Sequence, residues 1–566
     1  MIRRLYLILC FVWVAGFVFG GAPIYMRINQ AGFLPDTKKT AVVFSNEDLA
    51  DSNFYINDAL TGDRKFGPVK PGENFGMFGN FAYNYTLDFS GLRNEGKYVI
   101  KAPDKTFSYA FVISKEAGKG ISEKVLNFFR AQRCGDNLFL QAPCHLFKGT
   151  SRLDGKIKGG PNNGKIMDAS GGWHDAGDYI KFMIGEAGST YMLLFAYKEN
   201  PKKFVDEYLA TGAPGSNKIP DVLDEAKIGL DWIMKMHPAP EEFYYQVGDN
   251  NDHEFGWRLP SKDTTPYDTA PYRPVYFGAG GNTCGKAAAA FALAYKIWAY
   301  DLADVKYGQQ CLKHAEDLYR LGLANLKAIK SMPSDFYGEQ SFYDDMELAA
   351  AELFKATGKK EYLKQAEDFA LKTGSGYGWF DWGTFNFIAH YELYPNAINK
   401  SELLEYMKQD ILVDEKRAKL DAFGMCAEYV WGSMAGLTGA ILRGKLYEKL
   451  TGDDSFKDIY TGAYDYLMGK NQWGVCFIVG IGENYPKYPH GQIAEFSGKE
   501  IIGMPIEGPA SEQTFNDMNI TLSGNDRYAD FNSAKCVYHD DRSDYVTNEM
   551  TIWQAAVSVA AFSEMQ

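Results

Sequence analysis

The sequence predicts a two-domain protein in which a small all-β sandwich precedes a large all-α domain. Residues 23–115 show the alternation of apolar and polar side chains that is typical of strands, whereas apolar residues recur at helical spacing from residue 121 to residue 566. At 566 residues the chain is also too long for one ordinary hydrophobic core. We therefore expect one domain over residues 23–115 and a second over residues 121–566.

The strands of the first domain are predicted to be short and separated by turns. Apolar and polar residues alternate through residues 83–89 and again through residues 107–113. Residues 60–63, Leu-Thr-Gly-Asp, have the composition of a turn. About ninety residues of this kind favour a β-sandwich. Residues 114–120, which include two glycines, are the expected linker to the next domain.

The second domain is predicted to consist of helical hairpins. One apolar stripe at helical spacing runs through Leu223, Ala226, Leu230, Ile233 and His237. Residues 287–298 are apolar nearly all round, which indicates a buried helix. A helix that ends in Thr-Gly, with an aromatic residue four positions later, occurs at residues 357–358 and again at 451–452. Repeated hairpins favour an α/α toroid, although their spacing does not distinguish it from an α-solenoid.

The N-terminus has the pattern of a secretory signal peptide over residues 1–21. Two arginines near Met1 precede an apolar run over residues 5–19, and small residues follow. A membrane anchor is the alternative, but the run is short for a membrane span. We therefore expect an exported protein whose mature form has no membrane span, and we expect a monomer.

The composition restricts the classes of partner. A formal net charge of −13 argues against binding to nucleic acid or to an anionic membrane. Aromatic residues make up 15% of the chain, and a surplus beyond the core suits a cleft that stacks on sugar rings. These two features favour a neutral polymer as the substrate.

Three carboxylates lie in glycine-rich or aromatic segments near the two ends of the large domain. Asp175 and Asp178 belong to Gly-Gly-Trp-His-Asp-Ala-Gly-Asp-Tyr, and Glu549 ends Asp-Tyr-Val-Thr-Asn-Glu. Acid–base hydrolysis of a sugar acetal needs one ionised and one protonated carboxyl group, so these segments have the required parts. The alternative is that Asp175 or Asp178 caps a helix and that Glu549 is a carboxylate at a helix N-terminus.

These two motifs, in this order, resemble those of glycoside hydrolase family 9, the inverting cellulases. The resemblance implies an (α/α)6 barrel with Asp178 as the general base, Asp175 holding the nucleophilic water and Glu549 as the general acid. Residues 27–33 resemble the first strand of the immunoglobulin-like module found in some members. No organic cofactor is implied.

The function that the resemblance implies is the hydrolysis of β-1,4-glucan by a secreted enzyme. An endo-β-1,4-glucanase is the main prediction. An exo-acting cellobiohydrolase and a mixed-linkage glucanase are alternatives within the same family. A glycan-binding relative without catalysis is the alternative from another class of protein.

Two cysteines and two histidines form a candidate zinc site. Cys134, Cys144, His145 and His174 match the ligands of a closed tetrahedral zinc, and some family members carry a structural zinc on this pattern. Buried cysteines beside a surface histidine are the alternative, as is a disulfide between Cys134 and Cys144. Seven cysteines after the signal peptide are too few for a dense disulfide framework.

A calcium site is predicted at Asp344 and Asp345, which resemble an acidic pair that binds calcium in several family members. Paired carboxylates suit a hard cation, but acidic residues at a helix N-terminus are equally consistent with the pattern.

The remaining predicted site residues concern the sugar. His490 and Gln492 match a family loop of pattern Pro-His-x-Arg that binds sugar, with Gln492 in the place of the arginine. Gln retains hydrogen bonding but loses the charge, so the departure puts specificity in doubt. Tyr545 is expected beside Glu549. Trp257, Trp379 and Trp431 are predicted to stack on sugar rings, with burial in the core as the alternative for each.

Overall fold

A computed structural model describes residues 22–140, 143–147, 150–151 and 154–566. The signal peptide predicted over residues 1–21 lies outside this part of the chain. Within the described residues, no helix combines the length and the apolar character needed to cross a membrane.

The first domain is the predicted β-sandwich. Its strands are β1 (Tyr25–Ile28), β2 (Thr40–Ser45), β3 (Phe54–Asp58), β4 (Arg64–Val69), β5 (Tyr83–Asp88), β6 (Gly96–Lys101) and β7 (Phe111–Ile113). They form two antiparallel sheets, ordered β1-β2-β5 and β4-β3-β6-β7. The alternation at residues 83–89 correctly predicts inward-facing Tyr85, Leu87 and Phe89, whereas Phe107 is exposed.

The second domain begins at a helix immediately after the predicted linker. Its helices are α1 (Ile121–Gln132), α2 (Met183–Glu199), α3 (Asp221–Met236), α4 (Asn250–Glu254), α5 (Gly281–Lys296), α6 (Val305–Ala324), α7 (Tyr343–Thr357), α8 (Lys360–Thr373), α9 (Asn386–Leu393), α10 (Lys400–Ala418), α11 (Ser433–Thr451), α12 (Lys457–Leu467), α13 (Gln492–Phe496), α14 (Glu512–Asp517) and α15 (Ile552–Met565). The predicted Thr-Gly helix ends are present, with Gly358 and Gly452 in the left-handed conformation at φ 71° and 74°.

Twelve of these helices form two concentric rings. The inner helices are α2, α5, α7, α9, α11 and α15, and most of their residues are buried. Around them lie α3, α6, α8, α10, α12 and α1, each packed against an inner partner. Helix α15 contacts α2, so the last helix closes the ring against one of the first. This arrangement is the expected (α/α)6 barrel.

Strands also occur in the second domain, which the sequence reasoning missed. They are β8 (Leu146–Phe147), β9 (Thr150–Ser151), β10 (Asp154–Lys158), β11 (Ile166–Asp168), β12 (Lys181–Phe182), β13 (Tyr244–Val247) and β14 (Arg273–Phe277). Five of them form one sheet in the order β11-β10-β14-β13-β12. These strands are too short for a clear two-residue period, and β12 follows the Asp175–Asp178 segment directly.

The two domains share a buried interface. In β2, Ala41 and Val43 face the core of the sandwich, whereas Val42 and Phe44 pack into the core of the helical domain. The Arg27 guanidinium lies between aromatic rings, 5.1 Å from the centroid of Phe44 and 4.7 Å from that of Phe531. Its Nε also donates a 2.8 Å hydrogen bond to the carbonyl oxygen of residue 472. The interface therefore combines apolar packing with a charged group that is removed from water.

We expect Arg27→Ala to lower the free energy of unfolding by about 2 kcal/mol or more, because it removes a charge-assisted hydrogen bond and cation–π contacts in a buried site. Chemical denaturation followed by tryptophan fluorescence measures the change. Arg64→Ala is the matched control, since Arg64 lies 3.7 Å from the ring centroid of Tyr55 on the exposed side of the sandwich. Equal losses in the two variants would contradict a specific role for the interface.

Candidate active site

Tight packing fixes the segment that carries the two aspartates. Gly172 has a φ of 67°, and a Cβ at this position would lie 2.4 Å from Glu186 Oε1. The same Glu186 oxygen accepts a 2.6 Å hydrogen bond from the Trp173 N–H. A Cβ at Gly177 would lie 2.5 Å from Glu549 Oε1. Gly172 combines this close approach with a left-handed backbone that favours glycine, whereas a larger residue at Gly177 would displace the Glu549 carboxylate.

Asp175 is the more buried of the two aspartates, with 3% of its surface exposed. Its Oδ2 accepts a hydrogen bond from the Tyr337 hydroxyl. Its backbone carbonyl accepts a 2.8 Å bond from the Ile552 N–H at the start of α15. Burial raises the pKa of Asp175 to about 7. Asp175 is therefore held by a side-chain and a backbone hydrogen bond and has little exposed surface.

Asp178 is the more accessible aspartate, with 16% of its side chain exposed. Its Oδ1 accepts a 3.0 Å hydrogen bond from the Ile180 N–H, and its Oδ2 lies 3.2 Å from His253 Nδ1. The hydrogen bond with Asp178 raises the pKa of His253. This histidine follows β13 and belongs to α4, so the missed sheet places both groups. Asp178 is oriented by two donors and keeps a small part of its side chain exposed.

Glu549 faces the same segment from the other end of the chain. Its Oε1 accepts a 2.8 Å hydrogen bond from the Gly177 N–H and lies 3.9 Å from His490 Nε2. Burial, together with the carboxyls of Glu507 and Asp178, holds the pKa of Glu549 well above its usual range. Glu549 also precedes α15, which begins at Ile552 with Thr551 as its N-cap. Its carboxyl is therefore suited to carry a proton, and it bonds the aspartate segment rather than a helix N-terminus.

Four aromatic rings extend along one side of Glu549. Trp257 lies edge-on to His490 at 4.9 Å between ring centroids, His490 lies 5.8 Å from Tyr545, and Tyr545 lies 5.5 Å from Trp431. Trp257 and Trp431 are 39% and 40% exposed. The structure thus brings four of the predicted sugar-binding residues into one continuous row with half-exposed indole faces.

The third predicted tryptophan, Trp379, has a different environment. It is half-buried and its indole N–H donates to the Asp381 carboxylate. No ring contact in the described part of the chain joins it to the aromatic row. The nearby Trp382 instead packs 4.9 Å from the ring of Tyr337, which holds Asp175. Trp382 and Tyr337 were missed because only the tertiary fold brings them to the carboxylates.

Gln492 is placed differently from the expectation for a sugar-binding residue. It is 3% exposed, and its Oε1 accepts a 2.9 Å hydrogen bond from the Arg258 N–H. The backbone N–H of Gln492 donates a 3.0 Å hydrogen bond to the Gly177 carbonyl. Gln492 therefore joins two loops behind the carboxylates. The predicted role of its side chain in contacting sugar is not supported by this position, because the amide oxygen is already engaged.

The predicted metal ligands lie together in a buried cluster. The ligand atoms of Cys134, Cys144, His145 and His174 all lie within 4.8 Å of one another. Cys144 Sγ lies 3.3 Å from His174 Nε2 and 2.6 Å from His145 Nδ1, which leaves the opposite ring nitrogens facing away. Asp263 Oδ2 lies 3.9 Å from His145 Nε2. Two thiols and two imidazoles fit a closed tetrahedral zinc, and the outer carboxylate can orient one imidazole.

The second acidic cluster contains an internal cation. Asp344 and Asp345 lie with Glu339 in a buried group, and Lys286 Nζ is 2.6 Å from Asp345 Oδ1 and 3.0 Å from Glu339 Oε1. Lys286 is itself fully buried in α5. Its ammonium group supplies positive charge to two of the carboxylates that a calcium ion would have to bind.

The comparisons with known proteins agree with this geometry. The model of glycosyl hydrolase family 9 matches residues 119–562, and the model of the cellulase N-terminal Ig-like domain matches residues 23–106. The first match covers well over half of the chain, so the protein belongs to glycoside hydrolase family 9. It is therefore an enzyme, a glycoside hydrolase with an Ig-like N-terminal domain.

Individual relatives are similar over almost the whole chain. A xyloglucan-specific endo-β-1,4-glucanase of Bacteroides ovatus is 27% identical over an alignment of 587 positions, which covers 95% of this chain and 93% of that protein. The structure of a metagenome-derived family 9 endoglucanase has a TM-score of 0.80 at 23% identity, with 95% and 98% of the two chains covered. A zinc-binding triple mutant of another family 9 endoglucanase has a TM-score of 0.74 at 22% identity, with 94% and 99% covered.

We expect Gln492→Ala to lower the free energy of unfolding by about 1–3 kcal/mol, because the buried Arg258 N–H loses its acceptor. Gln492→Arg should not raise kcat/KM on cello-oligosaccharides, because we expect this side chain to join two loops rather than to contact the sugar. Denaturation curves and initial rates measure the two effects. Gln513→Ala, which removes an exposed glutamine, is the control. A gain in kcat/KM for Gln492→Arg without loss of stability would contradict the structural role.

Proposed function

We propose that the protein is an endo-β-1,4-glucanase that hydrolyses a β-glucan with inversion of configuration. The proposal depends above all on the hydrogen bond that Glu549 accepts from the Gly177 N–H. This bond brings a carboxyl suited to hold a proton next to the segment of Asp178, whose carboxylate is oriented by two donors, and beside the aromatic row. One group can donate a proton and the other can accept one, which is what direct displacement at a sugar acetal requires.

In the proposed reaction, Asp178 removes a proton from a water molecule that Asp175 helps to hold. The water oxygen attacks the anomeric carbon while the bond from that carbon to the glycosidic oxygen breaks. Glu549 donates its proton to the departing oxygen, so the leaving sugar departs as a neutral alcohol. The product from a β-linkage is the α-anomer. Afterwards Asp178 carries the extra proton, and exchange with water restores both groups.

Several features support a polymeric, neutral substrate. The row formed by Trp257, His490, Tyr545 and Trp431 offers apolar faces to more than one sugar ring. The relatives described above are endoglucanases by name, and one is specific for xyloglucan, so a substituted glucan is a second candidate substrate. Exo action and mixed-linkage cleavage are the alternatives within the same proposal, and neither nucleic acid nor a membrane is an expected partner. We also propose export, on the pattern of residues 1–21.

Zinc binding by Cys134, Cys144, His145 and His174 is proposed as a structural feature. The cluster contains His174, the residue before Asp175, so a metal there would anchor the catalytic segment. All four ligands are protein groups, which leaves no position for substrate. The chemistry above uses only carboxyl groups. Calcium at Asp344 and Asp345 stays a prediction, and the ammonium of Lys286 weighs against it.

We expect Asp178→Asn and Glu549→Gln each to lower kcat on a soluble β-glucan by at least about a hundredfold, because each removes one proton-transfer role. Proton NMR of the fresh product should show the α-anomer first, and the viscosity of the polymer should fall before much reducing sugar appears. Normal melting temperatures should confirm that both variants fold.

Asp381→Asn is the control for the loss of an aspartate outside the proposed chemistry. Release of the β-anomer would contradict inversion. The absence of hydrolysis by the unaltered protein would favour a glycan-binding function, and a slow fall in viscosity would favour exo action.

We expect protein purified without chelator to contain about one zinc per chain, and Cys134→Ser to lose the metal and melt at a lower temperature, since metal binding contributes to folding. Elemental analysis and thermal denaturation provide the measurements. Cys311→Ser, a buried cysteine outside the cluster, is the control. Metal-free protein of unchanged stability, or a Cys134–Cys144 disulfide found by mass spectrometry, would contradict the proposal.

A further inference from the structure

Glu507 is a buried carboxyl next to the candidate general acid that the proposed chemistry does not use. Its N–H donates a 2.6 Å hydrogen bond to the Glu549 carbonyl, and its own carbonyl accepts a 2.9 Å bond from the Met434 N–H. Only 2% of its surface is exposed. These backbone hydrogen bonds therefore fix Glu507 next to Glu549, just before α15, the last inner helix.

The side chain of Glu507 has a neutral partner. Its Oε2 accepts a 2.8 Å hydrogen bond from Gln554 Nε2 in the first turn of α15. Among the described residues, no lysine, arginine or histidine forms an ion pair with it. A buried carboxyl without a cation is costly to ionise, and burial raises the pKa of Glu507 to about 8.

The groups that face this pair are mostly acidic or neutral. Glu549 interacts with Glu507, Asp178 and Asp175, and it accepts the Gly177 N–H. The hydroxyls of Tyr337 and Tyr545 lie near the same carboxyl. His490 Nε2, at 3.9 Å, is the nearest basic atom. Burial lowers the pKa of His490, so it brings little positive charge. Two interacting carboxyls in surroundings with so little positive charge release their protons in two separate steps.

We propose that Glu507 is a positioning residue for the general acid, which it holds through the backbone and keeps protonated by disfavouring a second negative charge beside it. This inference rests on the proposed role of Glu549 and extends it. Once Glu507 has ionised, its negative charge opposes the loss of the proton from Glu549. Hydrolysis should therefore continue to a higher pH than Glu549 alone would allow.

The test is the pH dependence of kcat/KM on a soluble β-glucan for the unaltered protein, Glu507→Gln and Glu507→Asp. The alkaline limb reports the ionisation of the general acid in the free enzyme. We expect Glu507→Gln to move this limb down by about one pH unit, the usual size of a like-charge effect at short range. Glu507→Asp retains a more distant carboxyl and should move it by less. The acid limb should stay in place.

A second readout separates this role from general damage to the site. The leaving group of 2,4-dinitrophenyl β-cellobioside needs no proton. The loss of activity that Glu507→Gln causes at alkaline pH should therefore disappear with this substrate. A structural defect would lower both rates alike. Glu347→Gln is the matched control, because it neutralises another buried carboxyl that is bonded to His390, and it should leave both limbs unchanged.

The proposal is overturned if the alkaline limb does not move in whichever Glu507 variant folds, or if Glu347→Gln moves it equally. A failure of the proposed function would look different. In that case Glu549→Gln would retain activity on unactivated glucan, or the unaltered protein would not hydrolyse it, whatever the Glu507 variants did.

Discussion

Closure of the helical ring is the constraint on which the rest of the site depends. The segment with Asp175 and Asp178 precedes α2, whereas Glu549 precedes α15, and these two inner helices pack against each other. Two hydrogen bonds of 2.8 Å join the segments, from Ile552 N–H to the Asp175 carbonyl and from Gly177 N–H to Glu549 Oε1. Because the joined residues are more than 370 positions apart, only the tertiary fold brings these carboxyl groups together.

The same closure creates an unfavourable concentration of acid. Asp175, Glu507 and Glu549 are largely buried, and their burial raises the pKa of each. Arg258 pairs with Asp252 and Asp263 rather than with these three carboxyls. The local cost must be offset by packing in the rings and at the domain interface. In return, the site can hold a transferable proton near neutral pH.

The segment with Asp175 and Asp178 is supported from several directions. The cysteine and histidine cluster lies before it, the five-stranded sheet follows it through β12, and Gln492 bonds its carbonyl from α13. The N-terminal sandwich packs at a distance from the carboxyls, and Arg27 joins it to the loop after α12. These contacts hold the segment in one arrangement, and preorganised groups need little rearrangement when charge develops during a reaction.

The sequence by itself determined the class of fold and the groups available for chemistry. Two-residue and helical periodicity separated the domains, because burial of one face imposes those periods on any strand or helix. The Gly-Gly-Trp and Asn-Glu segments indicated Asp175, Asp178 and Glu549 as candidate catalytic residues, and the cysteine and histidine residues indicated the cluster that the fold assembles. Such signals are local, so they can be read without knowing what lies beside them.

The tertiary structure alone decided which side chains share one environment. His253, Tyr337, Trp382 and Glu507 come from four separate segments, and only the fold brings them close to the carboxylates. Gln492 was read as a sugar ligand, yet packing turns its amide oxygen toward a backbone N–H. Lys286 enters the acidic cluster of Asp345 from a different helix. Burial and partner identity set protonation and accessibility, and both arise from contacts between residues that are distant in the chain.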